Sequence, residues 1–141
     1  MTRVLLVLAM VVGIGVGGLS AAWHDEKHNS VKLLTIRDIA EKLDGKEAKA
    51  TAVVVTLEPG QPGAPHRHPG PAFGYVLEGE YEWAIDDQPA KVLKAGDTFY
   101  EPAGCLHRVS KNPAATGTTR VLAWVLHPKD AKQLVIPEPK K

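Results

Sequence analysis

Three patterns of apolar and polar positions follow one another along the chain. Val4 to Leu19 is unbroken apolar residue or glycine. Further on, Ile36, Ile39, Ala40 and Leu43 recur at i, i+3, i+4 and i+7. Thr35 to Asp38 resembles a capping box at the start of this series and Gly45 follows it, so the spacing predicts a short amphipathic helix over 36–43. From residue 49 the period falls to two. "KATAVVVTLEPG" (49–60) is a Val- and Thr-rich strand closed by a Pro-Gly turn. "FGYVLEGEYEWAID" (73–86) alternates, with Phe73, Tyr75 and Leu77 on one face, a bend at Gly79, and then Tyr81, Trp83 and Ile85. Asp86-Asp87-Gln88 makes a hairpin turn, and "AKVLKAGDTFYEPAG" holds two short strands hinged at Ala95-Gly96-Asp97. "HRVSKN" and "TRVLAWVLH" add two more strands, and "QLVIP" offers one at an edge.

Seven or eight short strands with frequent turn signals describe an all-β sandwich or barrel. Strand–helix alternation is absent, which excludes a parallel α/β sheet. A length of 141 residues allows one domain with a hydrophobic core. The formal net charge of +1 shows no electrostatic signature of nucleic-acid binding. Residues 1–22 read as a secretory signal peptide, with Ser20-Ala21-Ala22 as the cleavage site before Trp23. An uncleaved anchor is the alternative; the stretch is near the short end of what crosses ~30 Å of hydrocarbon. Either way the expectation is export, to the periplasm or cell envelope, with membrane contact only through this segment. Residues 23–48 form a polar lead-in and the short helix, 49–127 the barrel, and 128–141 a tail. His24 and His28, in the lead-in, are read as solvated. Cys105 is the single cysteine, so no disulfide can form within the chain.

Chemistry concentrates in "PHRHPGP" (65–71). In a strand, residues i and i+2 project to the same side, so His66 and His68 can turn two imidazoles toward one ion. Pro69 holds His68 in the extended region. The surrounding residues follow a longer pattern. Gly60, five residues, His66-x-His68, and later Gly79 are followed by Gly96, five residues, Pro102-x-Gly104, two residues and His107. These two motifs, across about 52–126, resemble those of the cupin superfamily. The resemblance implies a double-stranded β-helix, or jelly-roll, barrel with a metal in its mouth. It further implies that strands from opposite sheets bring His107 to face His66 and His68, and that the chain forms a homodimer through sheet edges.

The first motif carries a glutamate that should fall at 72 or 73, where this chain has Ala72 and Phe73. A four-ligand site with that carboxylate is therefore not expected. What remains is a three-histidine site, His66, His68 and His107, with open positions. Phe73, Tyr75 and Trp83 are expected as pocket wall, with Tyr81 and Trp124 as core or wall. Glu78, Glu80 and Glu82 have outward parity. Glu101, before the Pro102 turn, is a better candidate than these three to supply a carboxylate instead, but is expected as a surface group or a support near the site, and Cys105 as a buried thiol near it. Arg67 and Arg108 should point away, Asn112 should organise a turn, and His127 should lie at the surface. The metal is divalent (Fe, Mn, Zn, Ni or Cu), no organic cofactor is implied, and no general base stands out. The resemblance to three-histidine thiol and diketone dioxygenases implies a dioxygenase-like enzyme on a small organic molecule. A non-enzymatic metal- or ligand-binding and sensing module of the envelope is the alternative.

Overall fold

The computed structural model describes residues 28–139, and among them all regular structure is strand. The apolar N-terminal segment and most of the lead-in lie outside these residues. Among those described, no helix is long and apolar enough to cross a membrane. Ten strands follow in order: β1 (Ser30–Leu43), β2 (Lys46–Leu57), β3 (His66–Arg67), β4 (Ala72–Glu78) and β5 (Glu80–Ile85). Then come β6 (Lys91–Lys94), β7 (Thr98–Glu101), β8 (His107–Lys111), β9 (Thr119–Pro128) and β10 (Ile136–Pro137). They form two five-stranded sheets, β1-β2-β9-β4-β7 and β10-β3-β8-β5-β6. Every pairing between these strands is antiparallel. The sheets close on a core of Leu57, Val76, Tyr81, Trp83, Ile85 and Val121.

The helix expected over 36–43 is not formed; those residues belong to β1. Asp44 and Gly45, both with positive φ (49° and 76°), make a two-residue hairpin turn, and Leu43 pairs with Lys46 across it. That is the conformation Asp-Gly favours between antiparallel strands, so Gly45 starts a hairpin rather than stopping a helix. β1 then runs back along β2 as far as Ser30 opposite Thr56. The helix-like spacing arises from bulges between Leu33 and Thr35 and between Ile39 and Lys42. Each interrupts strict alternation and carries the apolar series across faces. β-Branched Val31, Thr35, Ile36 and Ile39 suit the pleated surface.

β4 also departs from expectation, because its parity is inverted. Ala72, Gly74 and Val76 face the interior, while Phe73, Tyr75 and Leu77 are 49%, 43% and 39% exposed. The interior has no room for a second bulky set here. A Cβ at Gly74 would stand 1.9 Å from Phe99 Cζ, so the β7 ring occupies that space. Phe73 instead packs on Tyr100 on the outer face, with ring centroids 5.1 Å apart.

Candidate metal centre

Two short strands of one sheet carry His66 and His107, and His68 follows directly after β3. β3 is held on both sides, by β10 and by β8, and His66 pairs directly with His107. The expectation that His107 arrives from the opposite sheet is therefore corrected: motif histidines are neighbours across one antiparallel ladder. Ring centroids of His66 lie 4.9 Å from those of both His68 and His107. One ring nitrogen from each of the three falls within 4.8 Å of the other two.

The backbone sets the state of two imidazoles. His66 Nδ1 lies 2.8 Å from the Ala64 carbonyl oxygen and His68 Nδ1 2.7 Å from that of Leu134. A carbonyl oxygen can only accept, so Nδ1 donates in both rings, which leaves Nε2 as the atom available to a ligand. The carbonyl that accepts from His68 lies in the C-terminal segment, whose Leu134 and Val135 also wall the cavity. Arg67 anchors that segment: its Nε donates to Glu138 at 3.1 Å and its Nη1 to the Gly104 carbonyl at 2.8 Å.

Burial does the rest. Burial, reinforced by His66 and His68, pushes His107 down to about 3, and burial lowers His68 as well. These rings are therefore neutral at physiological pH, the state a metal ligand requires. His107 Nε2 lies 3.2 Å from the Tyr81 hydroxyl, which donates to Ser110 Oγ at 3.0 Å. His107 Nδ1 lies 3.1 Å from Glu101 Oε1.

Glu101 is not at the surface. It is only 2% exposed, and burial pushes its carboxyl up to about 7. Trp83 Nε1 donates to Oε1 at 3.1 Å, while Oε2 is buried with no hydrogen-bond partner among the described residues. The histidines and Glu101 look onto a cavity of about 290 Å³ whose walls are chiefly Val53, Val55, Leu57, Phe99, Val121 and Val125.

The other expected residues sort as follows. Phe73 and Tyr75 are not pocket wall, since their side chains lie on the outer face of the sheet. Trp83 is buried behind the site and touches it only through Glu101. Cys105 packs against the core, and burial pushes its thiol up to about 11, so it is protonated and outside the histidine cluster. Glu78 and Glu80 are exposed and Glu82 half-buried. Arg108 is bonded away from the site, to the carbonyls of Asp86 and Gln88. Asn112 organises its turn from a buried position, bonding Leu57, Ala114 and Gly117. His127 is not a surface residue: it is 8% exposed, with Nε2 2.9 Å from Thr51 Oγ1.

Sequence reading missed Phe99, Leu134 and Val135 as lining. Phe99 shares strand parity with Glu101, which was a usable signal. Nothing local pointed to Leu134, whose role depends on the chain returning to β3.

Comparison with known proteins agrees with this architecture. Residues 53–125 match the family model for the cupin domain. No curated protein sequence matches the chain. Among solved structures, an RmlC-like cupin family protein from Methanocaldococcus jannaschii is similar at 16% identity and TM-score 0.57, covering 74% of this chain and 84% of its own. KdgF from a Halomonas species is similar at 24% identity and TM-score 0.52, covering 72% and 79%. The DMSP lyase DddQ from Ruegeria pomeroyi is similar at 23% identity and TM-score 0.54 over 64% of this chain. That match spans only 45% of the lyase.

Proposed function

The chain belongs to the cupin family, and on that premise we propose that it holds one divalent metal ion on His66, His68 and His107 and acts on a small, largely apolar organic molecule. One observation carries the reading: three imidazoles converge at one end of an apolar cavity, two of them with Nδ1 fixed by carbonyl groups. When bound, such an ion supplies Lewis-acid or redox chemistry. The chain's own residues do the remainder. Val53, Val55, Leu57, Phe99 and Val121 exclude water and select an apolar body, and the neutral histidines leave the ion's charge uncancelled. The reaction class favoured is dioxygenase-like.

A second reading, a metal- or ligand-binding module without turnover, is favoured by the state of the polar groups in the cavity. Tyr81 is bonded to Ser110 and Glu101 Oε1 to Trp83, which leaves few groups free to move protons. Metal content after native purification, followed by O₂ consumption with thiols, diketones and phenols, separates the two. DMSP belongs in the same panel because one similar structure is a DMSP lyase. Bound iron with substrate-dependent O₂ uptake supports the enzyme; tightly held zinc without turnover supports the binder. Placement in the cell envelope rests on the apolar run Val4–Leu19, and a homodimer on the edge position of β1.

A further inference from the structure

The cupin glutamate expected at 72 or 73 is missing from β4, yet a carboxylate reaches the histidines from elsewhere. Ala72 pairs directly with Glu101 across the β4–β7 ladder. Both face the interior, 1% and 2% exposed, and both line the histidine cavity. Directly opposite residues in an antiparallel pair carry Cβ atoms roughly 4.5–5.5 Å apart. A glutamate side chain is long enough to cover that offset, so Glu101 can place its carboxylate in the space a glutamate at 72 would use. The methyl group of Ala72 leaves that space open.

The spacings around the carboxylate point the same way. Oε1 lies 3.1 Å from His107 Nδ1, and Oε2 lies 3.5 Å from His68 Nε2. Donors bound at ~2.0–2.2 Å to one ion stand roughly 3.0–3.5 Å from their neighbours in the shell. The Oε2–His68 spacing is that of adjacent ligands, and the Oε1–His107 contact holds the carboxylate against a second imidazole. Its Oε1 is held by Trp83, whereas Oε2 is buried without a hydrogen-bond partner among the described residues. Leaving a carboxylate oxygen buried and unpaired is unfavourable, and a cation beside it removes the deficit.

We propose that Glu101 is the fourth protein ligand, donating Oε2 from β7 in place of the glutamate that β4 has lost. The carboxylate then comes from the sheet opposite the histidines, so the ion ties the two sheets together. The site becomes three nitrogens and one oxygen, less positive than three histidines alone. This inference rests on the metal-binding reading above.

The test uses the full chain loaded with Zn²⁺ and compares wild type, Glu101→Gln, Glu101→Ala and the double variant Glu101→Ala/Ala72→Glu. A crystal structure of the zinc-loaded wild type is expected to place a Glu101 oxygen ~2.0–2.2 Å from the ion. Chelator competition is expected to show affinity lowered ~10–100-fold or more in Glu101→Ala, since even supporting groups cost that much when removed. The double variant should recover most of the loss, because its carboxylate returns from the facing position. Metal-free Glu101→Gln should melt no lower than wild type, which shows that a loss of affinity is not a loss of fold. Zinc held by three histidines, with Glu101 remaining on His107 Nδ1, would overturn the fourth-ligand assignment while leaving the metal site intact. So would a folded double variant that binds no better than Glu101→Ala. Failure of wild type to take up any metal would overturn the underlying reading instead.

Discussion

At the scale of single residues, the histidines were legible, and the carboxylate only as a candidate whose burial and contacts were not. His66, His68 and His107 sit at motif spacings, and spacing is a property of the sequence. Glu101 owes its place to the register that sets Ala72 opposite it, which no local pattern encodes. The pKa shifts of this cluster predict how the metal-free protein responds to acid. His107, lowered from 6.5 to about 3, refuses a proton that the unfolded chain accepts, so its stability contribution is lost as pH falls below 6.5. His68, lowered by burial, acts in the same direction. Glu101, raised from 4.5 to about 7, keeps a proton that the unfolded chain releases, so stability is lost as pH rises through that window. The two effects oppose each other between 4.5 and 6.5, and below 4.5 the histidines act alone. Unfolding free energies from urea titrations in chelator should therefore fall most steeply below about pH 4.5, by roughly 1.4 kcal/mol per pH unit for each proton involved. Glu101→Gln removes the opposing effect and should move the onset up toward pH 6.5; an unmoved onset would contradict the assigned directions. Cys105→Ser should leave metal stoichiometry unchanged, because the thiol packs on the core rather than joining the cluster.

At the scale of elements, the period-two segments β2, β4, β5 and β9 were readable, but which face turned inward was not always so. Phe73 and Tyr75 looked like wall because bulky residues usually face a core. Phe99 had already filled that side of Gly74, and the packing of β7 on β4 decided the matter. In β1 the bulges imitated a helical period, although Asp44-Gly45 was a hairpin signal in plain view. Gly70 shows how closely the histidine segment is set against β9. A Cβ there would stand 1.9 Å from the Leu126 carbonyl oxygen, while Leu126 N–H donates to Pro71 O at 3.0 Å. Backbone cannot swing aside as a side chain can, so Gly70→Ala should cost about 1–3 kcal/mol in denaturant unfolding and weaken metal binding by shifting His68. Stability and affinity both unchanged would show that β9 yields. β1 is an edge strand with Leu34 and Ile36 49% and 51% exposed, and it is where pairing with a second copy would be expected. Sedimentation should give a dimer, and Leu34→Lys with Ile36→Lys should give a monomer that still binds metal. A monomeric wild type would remove the basis for that pairing.

At the scale of the whole molecule, short strands, many turns and the absence of strand–helix alternation were enough to indicate an all-β double-sheet barrel. Its topology, with His66 and His107 paired on one sheet, His68 just beyond β3 and the carboxylate on the other sheet, required the fold itself. That division gives the site its character: imidazoles and a buried acid, contributed from different sheets, meet beside one apolar cavity. The central claim is that this cluster holds a metal ion, and elemental analysis of the natively purified protein tests it most directly. Wild type should carry one divalent ion per chain, and folded His66→Ala and His107→Ala should each carry almost none. A metal content that is the same in all three proteins would contradict the account.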